Sequence, residues 1–265
     1  MDAALAARSF DKADIHVRIE DANGWIEYRT RKAGFEILNE SAFCASLQYE
    51  GKTWSVVNPR KPIVLVYELA DLDRRGNDLR YLGLGAFWFK DVPPRFAPTA
   101  HDFTVDKNGT RTTVSCIEKG QSCVYVFDST QGNSLVHIEK HSPQGVKIFE
   151  IVNAQYDGFW FPQTIIVTKN GQWQSTATVL SAKFERADMP DHLSPADLNV
   201  GLGTNVIQVS ADGKYGAIQS YDGTKIVPMK PAWRMRQSGN YPPETWGRPY
   251  KLLPKQFTPP VAEDD

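Results

Sequence analysis

The chain has no excess of either charge: 30 Lys and Arg stand against 31 Asp and Glu in 265 residues, a formal net charge of −1. Binding driven by phosphate contacts needs a basic face, so the composition gives no reason to expect a nucleic-acid partner. Long hydrophobic runs are missing too. None approaches the roughly 18 apolar residues that a bilayer-spanning helix requires, and the longest, such as IVLVY at 63–67, have strand length; no transmembrane segment is expected. The opening MDAALAARSF lacks a basic stretch followed by an apolar one, so as written it carries no secretory signal. A mature fragment given a start methionine reads the same. Cysteine is scarce, at three, and a chain this long buries enough surface to fold without disulfides or metal.

Motifs that carry chemistry are also absent. No Gly-x-Ser-x-Gly elbow presents a nucleophile. GLGAF at 83–87 and GLGT at 201–204 do not sit in a strand–loop–helix unit with a phosphate-binding fingerprint, and read as turns. His137 and His141 stand four apart in VHIEKH, a metal-binding spacing on a helix. In a strand, which their neighbours favour, they lie about 13 Å apart, too far for one ion. Asp71, Asp73 and Asp78 in DLDRRGND are interleaved with arginines and lack the spacing of a calcium loop. The expectation is a protein that is not an enzyme and carries no cofactor.

What is present is β-structure. Asn-Gly, Asp-Gly, Glu-Gly, Lys-Gly and Gln-Gly dipeptides recur at 23–24, 50–51, 108–109, 119–120, 131–132, 144–145, 157–158, 170–171, 212–213 and 222–223. Between them lie runs rich in Val, Ile, Thr, Tyr, Phe and Trp, the strand-and-hairpin pattern. Strands are expected near 14–21, 24–31, 34–40, 42–50, 53–58, 63–68, 102–107, 110–117, 122–128, 134–141, 146–155, 163–169, 172–185 and 204–210. That spacing suits a sandwich, barrel or strongly curved sheet and opposes βαβ units. Helix is expected only in short pieces: at 2–10, in the first half of 69–90, and from Ser194-Pro195. Cys116 and Cys123 flank IEKGQS, a hairpin loop, and read either as a cross-strand disulfide or as two reduced strand cysteines. Cys44 reads as a buried small side chain.

Beyond residue 228 the character changes, because eight of the 17 prolines fall in the last 38 residues. Trp233, Tyr241, Trp246, Tyr250 and Phe257 are costly to leave in water, so this arm is expected to pack along the body or bind a partner. Within the strands, Trp25, Phe35, Tyr49, Trp54, Tyr67, Trp88 and Trp160 are large apolar side chains. They read either as core or as the lining of an apolar cavity in a curved sheet.

Two passages carry a family resemblance. LQYEGKTWSVVNPRKPIVLVYEL, in which Trp54 follows the Glu50-Gly51 turn, is one; KIFEIVNAQYDGFWFPQTIIVTKNGQWQSTATVLSAKFERADMPDHL, with Asp157, Gly158, Trp160 and Pro162, is the other. Both resemble the LolA/LolB periplasmic lipoprotein carrier superfamily and its RseB-like relatives, over about residues 14–210. The resemblance implies a mainly β fold, a curved antiparallel sheet forming an unclosed β-barrel with a few short helices over its concave face. It implies non-catalytic binding of lipid or lipoprotein acyl chains, for transport or sensing in the cell envelope, by a periplasmic or otherwise exported protein; strand position and apolar size make the seven aromatic residues the candidate lining. The expected organisation is a domain at 1–227, carrying an insertion at about 69–101, and an extended arm at 228–265. The insertion, the arm and the missing N-terminal helix depart from the carriers. A structural subunit docking another protein through 228–265 is the alternative, with a carbohydrate-binding sheet using exposed tryptophans as a third reading.

Overall fold

The computed structural model describes residues 10–57, 63–68, 79–82, 100–198, 202–223, 225–229 and 253–257. Its strands run in chain order as β1 (Lys12–Asp21), β2 (Gly24–Ala33), β3 (Glu36–Ser41), β4 (Ala45–Tyr49), β5 (Lys52–Val57), β6 (Ile63–Glu68), β7 (His101–Asn108), β8 (Arg111–Glu118), β9 (Gln121–Asp128), β10 (Ser134–Ser142), β11 (Gly145–Tyr156), β12 (Phe159–Lys169), β13 (Gln172–Phe184), β14 (Asn205–Val209), β15 (Tyr215–Tyr221), β16 (Ile226–Pro228) and β17 (Lys255–Phe257). The fold is mainly β, and each strand expected from the sequence is present. β12 begins at Phe159, four residues before the expected 163, and β15 to β17 have no counterpart among the expected strands. Expected helix shrinks, among the described residues, to 3-10 turns at Leu79–Tyr81, Ser129–Gln131 and Pro195–Leu198. The helix expected at 2–10, most of 69–101, and Trp233, Tyr241, Trp246 and Tyr250 lie outside the described residues.

The hairpins follow from turn chemistry. At Glu50-Gly51, Lys119-Gly120, Asp157-Gly158 and Asn170-Gly171 both residues have positive φ. This is the type I′ geometry, whose twist matches that of the strands it joins.

The chain divides into two compact units: Met1–Glu27, Asp78–Arg186 and Lys255–Asp265 form the first, and Tyr28–Asn77 with Ala187–Pro254 the second. In the first, hydrogen bonding orders the strands β7-β8-β9-β10-β11-β12-β13-β1, each pair antiparallel. This order begins at β7, which pairs with β8, and the sheet is curved and unclosed. Register shifts at His16/Val17, Leu135/His137, Val152/Asn153 and Val167/Thr168 are the bulges that bend a sheet and sharpen its twist. β17 adds to the start of β2, pairing Gln256 with Trp25. That end of the C-terminal arm is therefore engaged within its own chain.

Glu27 on β2 is buried, and its carboxylate accepts from Arg18 Nη2 on β1 at 2.7 Å, with His16 Nε2 at 2.9 Å. Arg18 also stacks over the Trp25 ring at 4.2 Å.

The second unit is a meander, β2-β3-β4-β5-β6, extended by β14, β15 and β16. β14 runs parallel to β6, the exception to the antiparallel expectation. Leu38, Leu47, Trp54 and Val66 line up across four strands and share one core with Val56, Val64, Val206 and Tyr221. Leu193 and Leu198 close over it. The Ser194-Pro195 start is where the sequence places it: Ser194 N donates to Asp197 Oδ2 at 2.9 Å and Asp197 N to Ser194 O at 2.9 Å. β6 is buried on both faces, since Leu65 and Tyr67 join Val209 in a separate cluster.

Candidate functional site

Of the seven aromatic residues singled out from the sequence, Trp88 lies outside the described residues. Trp25 and Trp160 fall in the first unit, both partly buried. Trp25 Nε1 donates to Gln256 Oε1 at 3.1 Å, and Trp160 lies against Gly132, where an added Cβ would sit 3.3 Å from the indole. The other four fall in the second unit. Phe35 is 97% exposed on the β2–β3 turn. Trp54 is core, edge-on to Tyr221 with ring centroids 6.2 Å apart. Tyr49 packs against that core, whereas Tyr67 belongs to the cluster on the opposite face. Within the second unit, Trp54 and Tyr49 share one core, Tyr67 lies in the other cluster and Phe35 is exposed.

The first unit instead builds a site from its register. Residues directly opposite across strands share a face, so the rows can be traced. One row crosses the sheet as Asp21, Ser175, Val167, Phe149, Ile138, Tyr125 and Val114. Alongside it run Ile19, Ala177, Ile165 and Ile151. The aliphatic and Phe members of both rows on β1 and β10 to β13 are buried. This apolar face is termed the inner face.

The next row outward has a different character. Lys169 is opposite Lys147, Lys147 opposite Lys140, Lys140 opposite Cys123, and Cys123 opposite Cys116. Three ammonium groups thus stand side by side on adjacent strands, which lie about 4.8 Å apart. None of the three forms an ion pair among the described residues. They line an open concavity of about 570 Å³ with Asp21, Gln121, Ser142, Gln174, Ser175 and Val167.

The nearby acids are partly engaged. Asp21 Oδ1 accepts from Asn23 N at 2.8 Å, and Glu118 Oε2 accepts from Tyr125 OH at 2.9 Å. Burial holds the Lys147 ammonium below the ordinary lysine value, and repulsion by Lys140 and Lys169 adds to it.

Like charges opposite one another destabilise a sheet, and this gives a first prediction. The unfolded chain keeps Lys147 protonated up to its ordinary pKa of 10.5, whereas the folded chain releases that proton earlier. The unfolded state therefore binds more protons between the depressed value and 10.5, and this residue's penalty fades as pH rises through that window. Lys147→Gln is expected to stabilise the protein at pH 7 and low salt by on the order of 0.5 kcal/mol. The gain should shrink with added salt and toward pH 10. Urea denaturation at several pH values measures it, and a gain that grows with pH contradicts the assignment.

Cys116 and Cys123 are opposed as the hairpin reading requires, and both are free thiols here. Burial pushes both thiols up, which disfavours the reactive thiolate. Cys44, expected to be buried, is exposed.

A second concavity of about 570 Å³ lies on the outer face, lined by Arg111, Asp128, His137, Glu150 and Asn153 among others. Several of its polar groups are engaged: His137 Nδ1 is 2.9 Å from Glu150 Oε1, and Thr130 holds the Asp128 carboxyl below its ordinary value by hydrogen bonding. His137 and His141 lie on β10 as a strand, each beside Glu139, at 3.6 and 2.6 Å. No group of three metal-ligating side chains occurs among the described residues. Nor is any helix there long and apolar enough to cross a membrane.

No family model and no curated protein matches the chain. Solved structures do. A LolA superfamily protein from Nitrosomonas europaea is similar at 15% identity and a TM-score of 0.42, over 72% of this chain and 94% of its own. A putative outer membrane lipoprotein-sorting protein domain from Vibrio parahaemolyticus gives 13% and 0.42, over 74% and 94%. A DUF1329 family protein from Desulfovibrio piger gives 10% and 0.43, over 74% and 96%.

Proposed function

We propose that the chain binds the acyl chains of a lipid or lipoprotein, without catalysis, for transport or sensing in the periplasm. The observation that carries this reading is the inner face of the first unit. Rows of Ile, Val, Ala and Phe side chains cross five neighbouring strands and run out into an open concavity at one end. A sheet that does not close can give its apolar face to a ligand in place of its own cover. Each methylene moved from water to that face contributes about 0.8 kcal/mol, so a twelve-carbon chain needs little directional bonding to be held. The acyl contact is assigned to Val167, which lines the concavity, to Phe149 and Ile138 in the same cross-strand row, and to Ile165 in the row behind it. The periplasmic setting rests on the sequence resemblance.

Titration with dansylaminoundecanoic acid tests the proposal, together with native mass spectrometry of protein purified without organic extraction. Saturable fluorescence enhancement that dodecanoate reverses is the expected result. Protein that carries no amphiphile and leaves the probe's fluorescence unchanged overturns it.

A further inference from the structure

The acyl reading explains the apolar rows but makes no use of the lysines at their end. Three cations placed in direct opposition across β10, β11 and β12 cost the folded chain stability, and no acid among the described residues is paired with them to relieve it. Lys147 is half-buried, with its Nζ 5.1 Å from the centre of the Phe149 ring. Its charge therefore sits at the boundary between the apolar floor and the concavity. Ser142, Gln121 and Gln174 add uncharged polar groups to the same lining. Asp21 on β1 and Glu118 on β8 are the facing acids. One is in the lining and held by its own turn; the other is turned to Tyr125. Three positive charges thus outnumber the acids around a space large enough for a phosphate or carboxylate and its first methylenes.

We infer that this lysine row is an anion-binding site for the acidic head of an amphiphile, a phosphate or carboxylate whose hydrocarbon tail lies along Phe149 and Val167. The tail half of this inference rests on the proposed acyl function; the anion half stands on the lysines alone. An anion bridging Lys140, Lys147 and Lys169 turns their mutual repulsion into three attractions. Such charge-assisted bonds are stronger than neutral ones.

The test is isothermal titration calorimetry of the full chain at low ionic strength with four probes: dodecyl phosphate, dodecanoate, the neutral monododecanoylglycerol, and inorganic phosphate. The variants are K140Q/K147Q and the charge-preserving K140R/K147R. Dodecyl phosphate and dodecanoate are expected to bind at least about tenfold tighter than the neutral glyceride, roughly one charge-assisted hydrogen bond. That preference should be lost in K140Q/K147Q and kept in K140R/K147R. The Gln variant relieves repulsion, so its melting temperature is expected to equal or exceed that of the parent, which separates lost binding from lost folding.

Equal affinity for charged and neutral chains, unchanged by the Gln variant, overturns the anion site and leaves acyl binding standing. If no chain-bearing probe binds, the acyl function falls and inorganic phosphate decides. Lysine-dependent phosphate binding then supports an anion site for a free phosphate, and its absence overturns the site.

Discussion

Phe161→Ala is expected to lower the stability of the chain by about 3–5 kcal/mol, the range for emptying a large aromatic site in a packed core. Phe161 has no solvent exposure, and its ring lies 5.3 Å from that of Phe184, which is itself 1% exposed. Phe184 stacks on Phe10 at 4.1 Å and meets Phe159 edge-on at 5.9 Å, while Phe10 and Phe159 form a further perpendicular pair at 5.2 Å. Phe161 therefore supports a ring cluster that joins residue 10 to the ends of β12 and β13. The cluster is also tied through the backbone, because Phe184 N donates to Asp157 Oδ2 at 3.0 Å on the turn that begins β12. Domains are stable by only about 5–15 kcal/mol, so this loss takes a large share of the total. A urea titration should show the midpoint falling with the slope unchanged. A loss under about 1 kcal/mol would mean that the rings pack loosely enough to collapse into the vacancy.

This cluster also shows what could be read from the sequence. The Asp157-Gly158 turn and the apolar runs on both sides of it announce the β11–β12 hairpin. They do not show how far β12 reaches back, because Pro162 suggests a break within what proves to be one strand. Pro162 is tolerated because it lies opposite Asn153, where the Val152/Asn153 shift interrupts the regular ladder, and a bulge is where a strand accommodates a residue lacking an N–H.

The same bulge accounts for the site. Counting out from the Asp157-Gly158 turn puts Lys147 opposite Thr168, and Lys169 on the other face. The extra residue moves the register by one, so Lys169 stands opposite Lys147, and a one-residue shift decides which face a side chain occupies. Half of the row was legible, since Ser142 pairs with Gly145 about the Gln144-Gly145 turn and leaves Lys140 opposite Lys147. Composition could not reveal the rest, because local charge vanishes into a balanced total. Alternation along β12 places Trp160 and Phe161 on opposite faces, and on size alone the two are equal candidates.

Trp54→Ala separates the two roles, core or cavity lining, that the sequence leaves open for this residue. The indole is 7% exposed, lies between Leu47 and Val66 in the cross-strand row, and meets Tyr221 at an interplanar angle of 75°. Tyr221 is fixed in turn, its hydroxyl donating to Gly223 O at 2.9 Å. A residue so enclosed contributes mainly by filling volume, and its truncation is expected to cost about 3–5 kcal/mol. Dansylaminoundecanoate affinity, measured on the folded protein well below its melting temperature, should stay within about twofold of the parent, a free-energy change of about 0.4 kcal/mol. If stability instead changes by less than 1 kcal/mol while probe binding collapses, the indole is a ligand wall. The acyl site then moves from the inner face of the first unit to the meander of the second. Measuring both quantities on one variant therefore assigns the tryptophan and locates the cavity.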